Sequence, residues 1–292
     1  MFVCQGRAAA HGRLAVDRFS DPIAERLLRD DELAPVRAVQ TATRDDLSIR
    51  TVGVAARMSV EAVRAVAQVV VARTVVIDDA VAAAVTATSG AQAVLVGAGL
   101  DTRPWRLAAL SDATVFSVDH PASQADAQDR ASGLVPVARR LVFIPVDLTT
   151  SRLDTALASG GHDCAAPTIW VWEGVVPYLA RSDVETTVSA LAGRSAPGSV
   201  LVVNYQTPSL EATLGRRVAI LAGRLFKIDP FTADEPWRSL WTPPDMAHLL
   251  ANHGFTTQRD VDLFQVARGI GSPTGHSRSL RNGRVAIARF GG

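Results

Sequence analysis

The stretch "AVLVGAGLDTRPWRL", residues 93 to 107, decides how this chain is read. Four apolar residues, Ala93 to Val96, break at Gly97-Ala98-Gly99, and Asp101, Thr102 and Pro104 follow. An apolar run stopped by two glycines and then an acid, a hydroxyl residue and a proline is how a buried strand turns tightly into a helix. Glycines at such a turn let the backbone approach a ligand closely. Taken alone, a plain structural turn has the same composition, so what this one holds has to be read from the rest of the chain.

Downstream, apolar strands alternate with helical stretches, the signature of a parallel sheet wrapped by helices. The pattern predicts strands at 93–97, 114–119, 141–147, 168–173 and 199–205. The middle three end on Asp119, Asp147 and Glu173. A parallel sheet buries its strands on both faces, so acids at strand C-termini line the crevice where such folds bind ligands. Two last strands are expected in "QRDVDLFQVA" (258–267) and "GRVAIARF" (283–290); if the first runs parallel to the sheet and the second returns antiparallel, the Gly/Ser-rich connection between them lies on the crevice edge. Upstream, residues 1–90 read as a helical cap: "DPIAERLL" opens with an Asp-Pro start signal, and residues 60–85 carry a broad apolar face with a break near Asp78. Residues 91–292 form the ligand-binding unit, with 206–253 as a helical insertion (helices at 208–226 and 243–253), all in one compact body.

Composition narrows the partners. The 292 residues are 48% hydrophobic, enough for a full α/β core. Thirty basic and twenty-nine acidic residues leave a net charge of +1 with no basic block, which argues against nucleic acid. Lys227 is the sole lysine, as a GC-rich coding bias would produce. Cys4 and Cys164 lie far apart with no CxxC or His pair, so neither a disulfide framework nor a metal site is expected, and a reducing cytoplasm fits. The most apolar stretch carries Arg73, Asp78 and Asp79 at its centre and is not read as a membrane segment.

An acid at the end of the second strand accepts hydrogen bonds from ribose hydroxyls, and Asp119 stands there, 22 residues beyond Gly97. NAD and S-adenosyl-L-methionine share that requirement. The dinucleotide fingerprint GxGxxG needs a glycine where this chain has Thr102, which disfavours the pyrophosphate ligand. Asp147 is placed to meet an adenine amine while Leu148 packs on the ring. Glu173 points toward an ammonium or sulfonium. A helix or turn cap is the alternative role for each of these acids. Arg73, inside "VAQVVVARTVVI", needs a partner to offset several kcal/mol of desolvation. Asp78 and Asp79, five and six positions on, reach it only across a helix break, and a ligand carboxylate held by the two-pronged guanidinium is the rival partner.

The segments "RTVVIDDAV", "QAVLVGAGLDTRPWRL", "VFSVDHP", "PVDL" and "WVWEGVVPYL" resemble the leucine carboxyl methyltransferase family, in particular its bacterial branch of S-adenosylmethionine-dependent O-methyltransferases. The resemblance runs from "FSDPIAERLL" to "DEPWRSLWTPPDMAHLLANHGF". It implies the class I methyltransferase fold, a Rossmann-like α/β sheet of seven strands with the last antiparallel. It also implies that Arg73 holds the cofactor carboxylate, that Gly97 and Gly99, with Ala98 between them, form the turn beneath the methionine moiety, and that Asp119 binds the ribose; His120, between that acid and Pro121, is read as shaping the adenosine side rather than the acceptor side. Asp147 and Leu148 take the adenine, and Glu173 lies beside the methionine. Many class I enzymes carry an acid two residues before the first glycine; Leu95 stands there, so Asp101 or Glu173 must meet the ammonium.

S-adenosylmethionine carries its own electrophile, so alignment and exclusion of water suffice and no metal is expected. A carboxylate acceptor needs no base, whereas a phenol gains from one. His276, in the loop at the crevice edge, is the candidate base, and Tyr178 the residue to orient an acceptor oxygen; His248 and His253 read as surface residues of a helix. The expected activity is methyl transfer to an oxygen of a small, partly apolar metabolite. A nicotinamide oxidoreductase and a cofactor-binding protein without turnover are the alternatives.

Overall fold

The structure, a computed structural model, describes residues 1–41, 54–88, 91–147, 152–208, 238–275 and 278–292. Seven strands form one sheet: β1 (Gln92–Val96), β2 (Thr114–Asp119), β3 (Arg140–Pro145), β4 (Thr168–Trp172), β5 (Val200–Gln206), β6 (Phe255–Asp262) and β7 (Gly283–Phe290). Their spatial order is β3-β2-β1-β4-β5-β7-β6. The first five run parallel, and β7, inserted antiparallel between β5 and β6, runs opposite to the other six. Every residue of β1 and β4 is buried, because helices cover the sheet on both sides.

Alternation of side chains sorts the strand residues between two cores. Val94, Val96, Phe116, Trp170, Trp172, Leu201 and Tyr205 pack with Leu157, Val184, Leu191 and Leu250. Ala93, Leu95, Val115, Ile169, Val171 and Val202 pack against Val69, Ala72, Val76 and Val81. The latter four belong to the 33-residue helix α3 (Val54–Thr86), which therefore lies on the sheet itself. A third cluster joins α3 to α1 (Phe2–Ala10) and α2 (Asp30–Thr41). Helix α1 approaches α3 almost backbone to backbone: a Cβ added at Gly6 would come 2.7 Å from Val66 Cγ1 and 3.1 Å from Ala67 N.

Four expectations are corrected. Helix α3 runs unbroken through Asp78, because Asp78 and Asp79 find partners off the helix: Arg103 and Arg106 for the first, Arg18 for the second. The segment "DPIAERLL" makes a single 3-10 turn, Ala24–Leu27, with Asp21 Oδ1 accepting from Ala24 N at 3.0 Å. The strand expected at 258–267 is β6 only as far as Asp262. There the Asp262 carboxylate accepts from Phe264 N and Gln265 N and starts the helix Leu263–Gly269. A further short helix, Arg278–Asn282, occupies the connection read as loop. The helix at 243–253 is found as Pro243–Asn252, capped by Thr242; that at 208–226 lies almost wholly outside the described residues. Among the described residues, no helix is long and apolar enough to cross a membrane.

His162 shows the fold's demand on buried polarity. It is 4% exposed, with Nε2 2.9 Å from Thr168 Oγ1 and Nδ1 3.1 Å from Arg194 Nη2, and its ring packs beside Phe116 and Trp170. Burial, with Arg194 adding to it, lowers its pKa from 6.5 to about 4. The unfolded chain takes up this proton near pH 6.5 and the folded chain does so only near pH 4, so acid weakens the fold across that window. Urea unfolding of His162→Gln should therefore lose less stability than wild type between pH 6.5 and 4, by up to about 3 kcal/mol, with no difference in slope above pH 7.

Candidate active site

In an open parallel sheet, ligands bind at the carboxyl ends of the strands where the chain order reverses, which here is between β1 and β4. The glycine turn leaves β1 at that point. Gly97 has φ +67° and Gly99 φ +50°, and a Cβ at Gly97 would collide with Val175 Cγ2. Both left-handed conformation and lack of space thus require glycine at position 97. Ala98 N donates to Val118 O at 2.9 Å, tying the turn to β2. Asp119, at the end of β2, accepts from Gly99 N through Oδ2 and from His120 N through Oδ1 at 2.6 Å.

A cavity of about 170 Å³ lies over this turn. Gly97, Ala98, Gly99, Asp101, Arg73 and Glu173 line it, with Val3, Cys4 and Arg7 of α1 opposite. Cys4 donates its thiol hydrogen to Ala24 O, and burial pushes that thiol pKa up.

Arg73 is partnered within the chain by neither Asp78 nor Asp79. Its Nε donates to Glu173 Oε1 at 2.7 Å, from α3 across to the residue that follows β4. The second oxygen of Glu173 sits 2.7 Å from Arg103 Nη1. Burial alone would raise the Glu173 pKa, yet the Arg103 and Arg73 guanidiniums hold it well below the usual carboxylate range. Glu173 is therefore ionised and does double duty, lining the cavity and fixing Arg73. Gly174, at φ +74°, leaves room beside the Arg73 terminal nitrogens: an added Cβ there would be 3.7 Å from Nη1 and 3.9 Å from Nη2.

Arg103, in the short helix Arg103–Arg106, has no exposed side-chain surface. It is bound to Asp78 Oδ1 at 2.7 Å, Asp101 Oδ2 at 2.6 Å and Glu173. Burial works against its charge, but Asp101, Glu173 and Asp78 together raise its pKa. Beside it Arg106 Nη1 reaches Asp78 Oδ2 at 2.6 Å, and Asp21 Oδ2 lies 3.3 Å from both Arg106 Nε and Arg7 Nε. Thr102, in the place of the third fingerprint glycine, is fully buried and donates to Asp21 Oδ2 at 2.6 Å. Arg7 Nη2 closes the set on Leu100 O.

The structure thus gathers Arg73, Gly97, Ala98, Gly99, Asp101, Asp119 and Glu173 at one end of the sheet. His120 is exposed and caps the helix Pro121–Arg130, its Nδ1 accepting from Ala122 N at 3.2 Å. Asp147 is half-buried two residues past β3, and Leu148 and His276 lie outside the described residues. Tyr178, 39% exposed, lines a second cavity beside the first. Sequence reasoning passed over Arg7, Asp21, Arg103 and Arg106. Both Arg103 and Arg106 were in plain view within "DTRPWRL", but apart from Asp101 and Thr102 their partners are 25 or more residues away and leave no local spacing. Among the described residues, no group of three His, Cys, Asp or Glu is arranged to hold a metal ion.

Sheet order, glycine turn and acidic strand end together define the class I methyltransferase fold. A crystal structure of a Thermobifida fusca protein provisionally named a methyltransferase superposes with a TM-score of 0.57, 18% identity, and coverage of 79% of this chain and 88% of that one. Residues 1–192 match the leucine carboxyl methyltransferase family model, and the chain belongs to that family. A Streptomyces coelicolor protein provisionally named an S-adenosyl-L-methionine-dependent methyltransferase is 36% identical over 199 residues, 65% of this chain and 63% of its own length. One from Mycobacterium ulcerans with the same provisional name is 33% identical over 185 residues, 62% and 57% respectively. The chain thus spans less than two thirds of the length of these relatives.

Replacing Arg103 by Met would leave Asp78, Asp101 and Glu173 without their shared counter-charge. Urea denaturation should show a loss of at least about 3 kcal/mol, far more than for Arg18→Met, whose partner Asp79 is exposed.

Proposed function

We propose that this chain binds S-adenosyl-L-methionine and transfers its methyl group to an oxygen, carboxylate or hydroxyl, of a small, partly apolar metabolite. One observation carries the reading: the glycine turn and the Arg73–Glu173 pair line one cavity at the switch point of the sheet, and the Asp119 carboxylate is hydrogen-bonded to that turn through Gly99 N. The side chains suit the ligand. Arg73 keeps Nη1 and Nη2 beside Gly174, where they would hold a carboxylate, Asp101 and Glu173 would be the anions for an ammonium, and Asp119, whose oxygens accept from Gly99 N and His120 N, would offer its remaining lone pairs to ribose hydroxyls. Asp147 and Leu148 would take the adenine, with His120 beside the adenosine.

When bound, the cofactor supplies a methyl group on a cationic sulfur, an electrophile that needs no metal or acid. The protein's share is alignment and dryness. Glu173 holds the Arg73 guanidinium in one orientation, the Gly97 turn admits close approach of the backbone, and Val3 and Cys4 on α1 shield the cavity from water. Tyr178 would orient the acceptor oxygen. A hydroxyl acceptor would give up its proton to His276, whereas a carboxylate needs no base. Residues 1–90 act as a cap over the unit formed by 91–292, and the free thiols of Cys4 and Cys164 suit a cytoplasmic setting.

Titration calorimetry with S-adenosylhomocysteine should give one site per chain. Asp119→Ala should weaken that binding at least tenfold while circular dichroism stays unchanged. Tight binding of NADH with none of S-adenosylhomocysteine would reject the reading.

A further inference from the structure

We propose that the second cavity is the acceptor site and that Gln206 accepts a hydrogen bond there from a hydroxyl or N–H group on an acceptor built around a single apolar ring. The inference rests on the function proposed above and names the chemistry of its substrate.

This cavity, of about 210 Å³, shares Val3, Arg73 and Gly174 with the first, so molecules in the two would meet across that wall. One side is apolar, formed by Val66, Val69 and Val70 of α3 and by Pro177. The other is polar, at the ends of β5 and of the helix before β7, where Asn204, Gln206 and Ser279 face it. The two amides differ. Asn204 is satisfied: Oδ1 accepts from Gly174 N at 3.3 Å and Nδ2 donates to Arg284 O at 2.9 Å. Gln206 is 6% exposed and its Oε1 has no hydrogen-bond partner.

A buried amide oxygen without a donor is unfavourable, and buried polar atoms in folded proteins are nearly always paired. A ligand donor in the cavity supplies what the chain does not. The apolar wall selects the remainder of the molecule, and the volume sets its size: a cavity of about 150 Å³ accommodates benzene, so this one takes one ring with small substituents.

Para-cresol and para-xylene, alike in shape and differing by hydroxyl against methyl, test the assignment. Binding of each is measured by ligand-observed NMR on the whole chain saturated with S-adenosylhomocysteine. Wild type should prefer para-cresol roughly fivefold or more, the worth of one net hydrogen bond. Gln206→Met should abolish that preference while leaving the affinity for S-adenosylhomocysteine within twofold. Ala65→Phe, placed at an exposed position of α3 on the cavity rim, should exclude both probes without touching the core. Equal affinity for the two probes, a preference that survives Gln206→Met, undiminished binding to Ala65→Phe, or no binding of either probe would each overturn the proposal. Those results, with S-adenosylhomocysteine still bound, leave the methyltransferase reading standing; failure of S-adenosylhomocysteine to bind wild type removes both.

Discussion

A guanidinium sealed from water must be surrounded by counter-charge, and Arg103 is sealed completely. Its three carboxylates come from the long helix, the glycine turn and the end of β4, so one side chain fixes the relative positions of three distant parts of the chain. Asp21 does the same from the other side, joining Arg7, Arg106 and Thr102. Arg7, Arg73, Arg103 and Arg106 balance Asp21, Asp78, Asp101 and Glu173. Such a lattice is neutral as a whole yet locally polarised, which suits a guest with an ammonium at one place and a carboxylate at another, as the methionine end of the proposed cofactor has.

Sheet topology places this lattice. Because β1 and β4 are neighbours whose connections depart in opposite directions, a gap opens above their carboxyl ends. Helix α1 covers the gap, and it can come so close because Gly6 presents no side chain to α3. Glu173 and Gly174 then divide the covered space: the first anchors Arg73, and the second lets its guanidinium lie between two cavities.

Much of this was legible in the sequence. Five parallel strands follow from apolar runs and their turns, the antiparallel last one from the family resemblance, and the glycine turn with Asp119 from residue type and spacing. Element ends were less legible where one side chain decides them: Asp262 stops β6 and starts a helix, although "DVDLFQVA" reads as one apolar run with alternating acids. Least legible were the ion pairs. The Arg73–Glu173 pair spans 100 residues, and Arg103 draws on residues 25 positions before it and 70 after it. Spacing predicts partners along one helix; it carries no information on which acid a fold brings across.

The reversal of β7 sends the two ends of the chain to opposite sides. Arg289 pairs with Val200 at the beginning of β5, and Gly291 N donates to Gly254 O, so the carboxyl terminus leaves on the edge remote from both cavities. Met1 is on the lining of the first cavity and Val3 on that of both. Met1 is thus set beside the glycine turn, and Gly292 beyond the opposite ends of the strands.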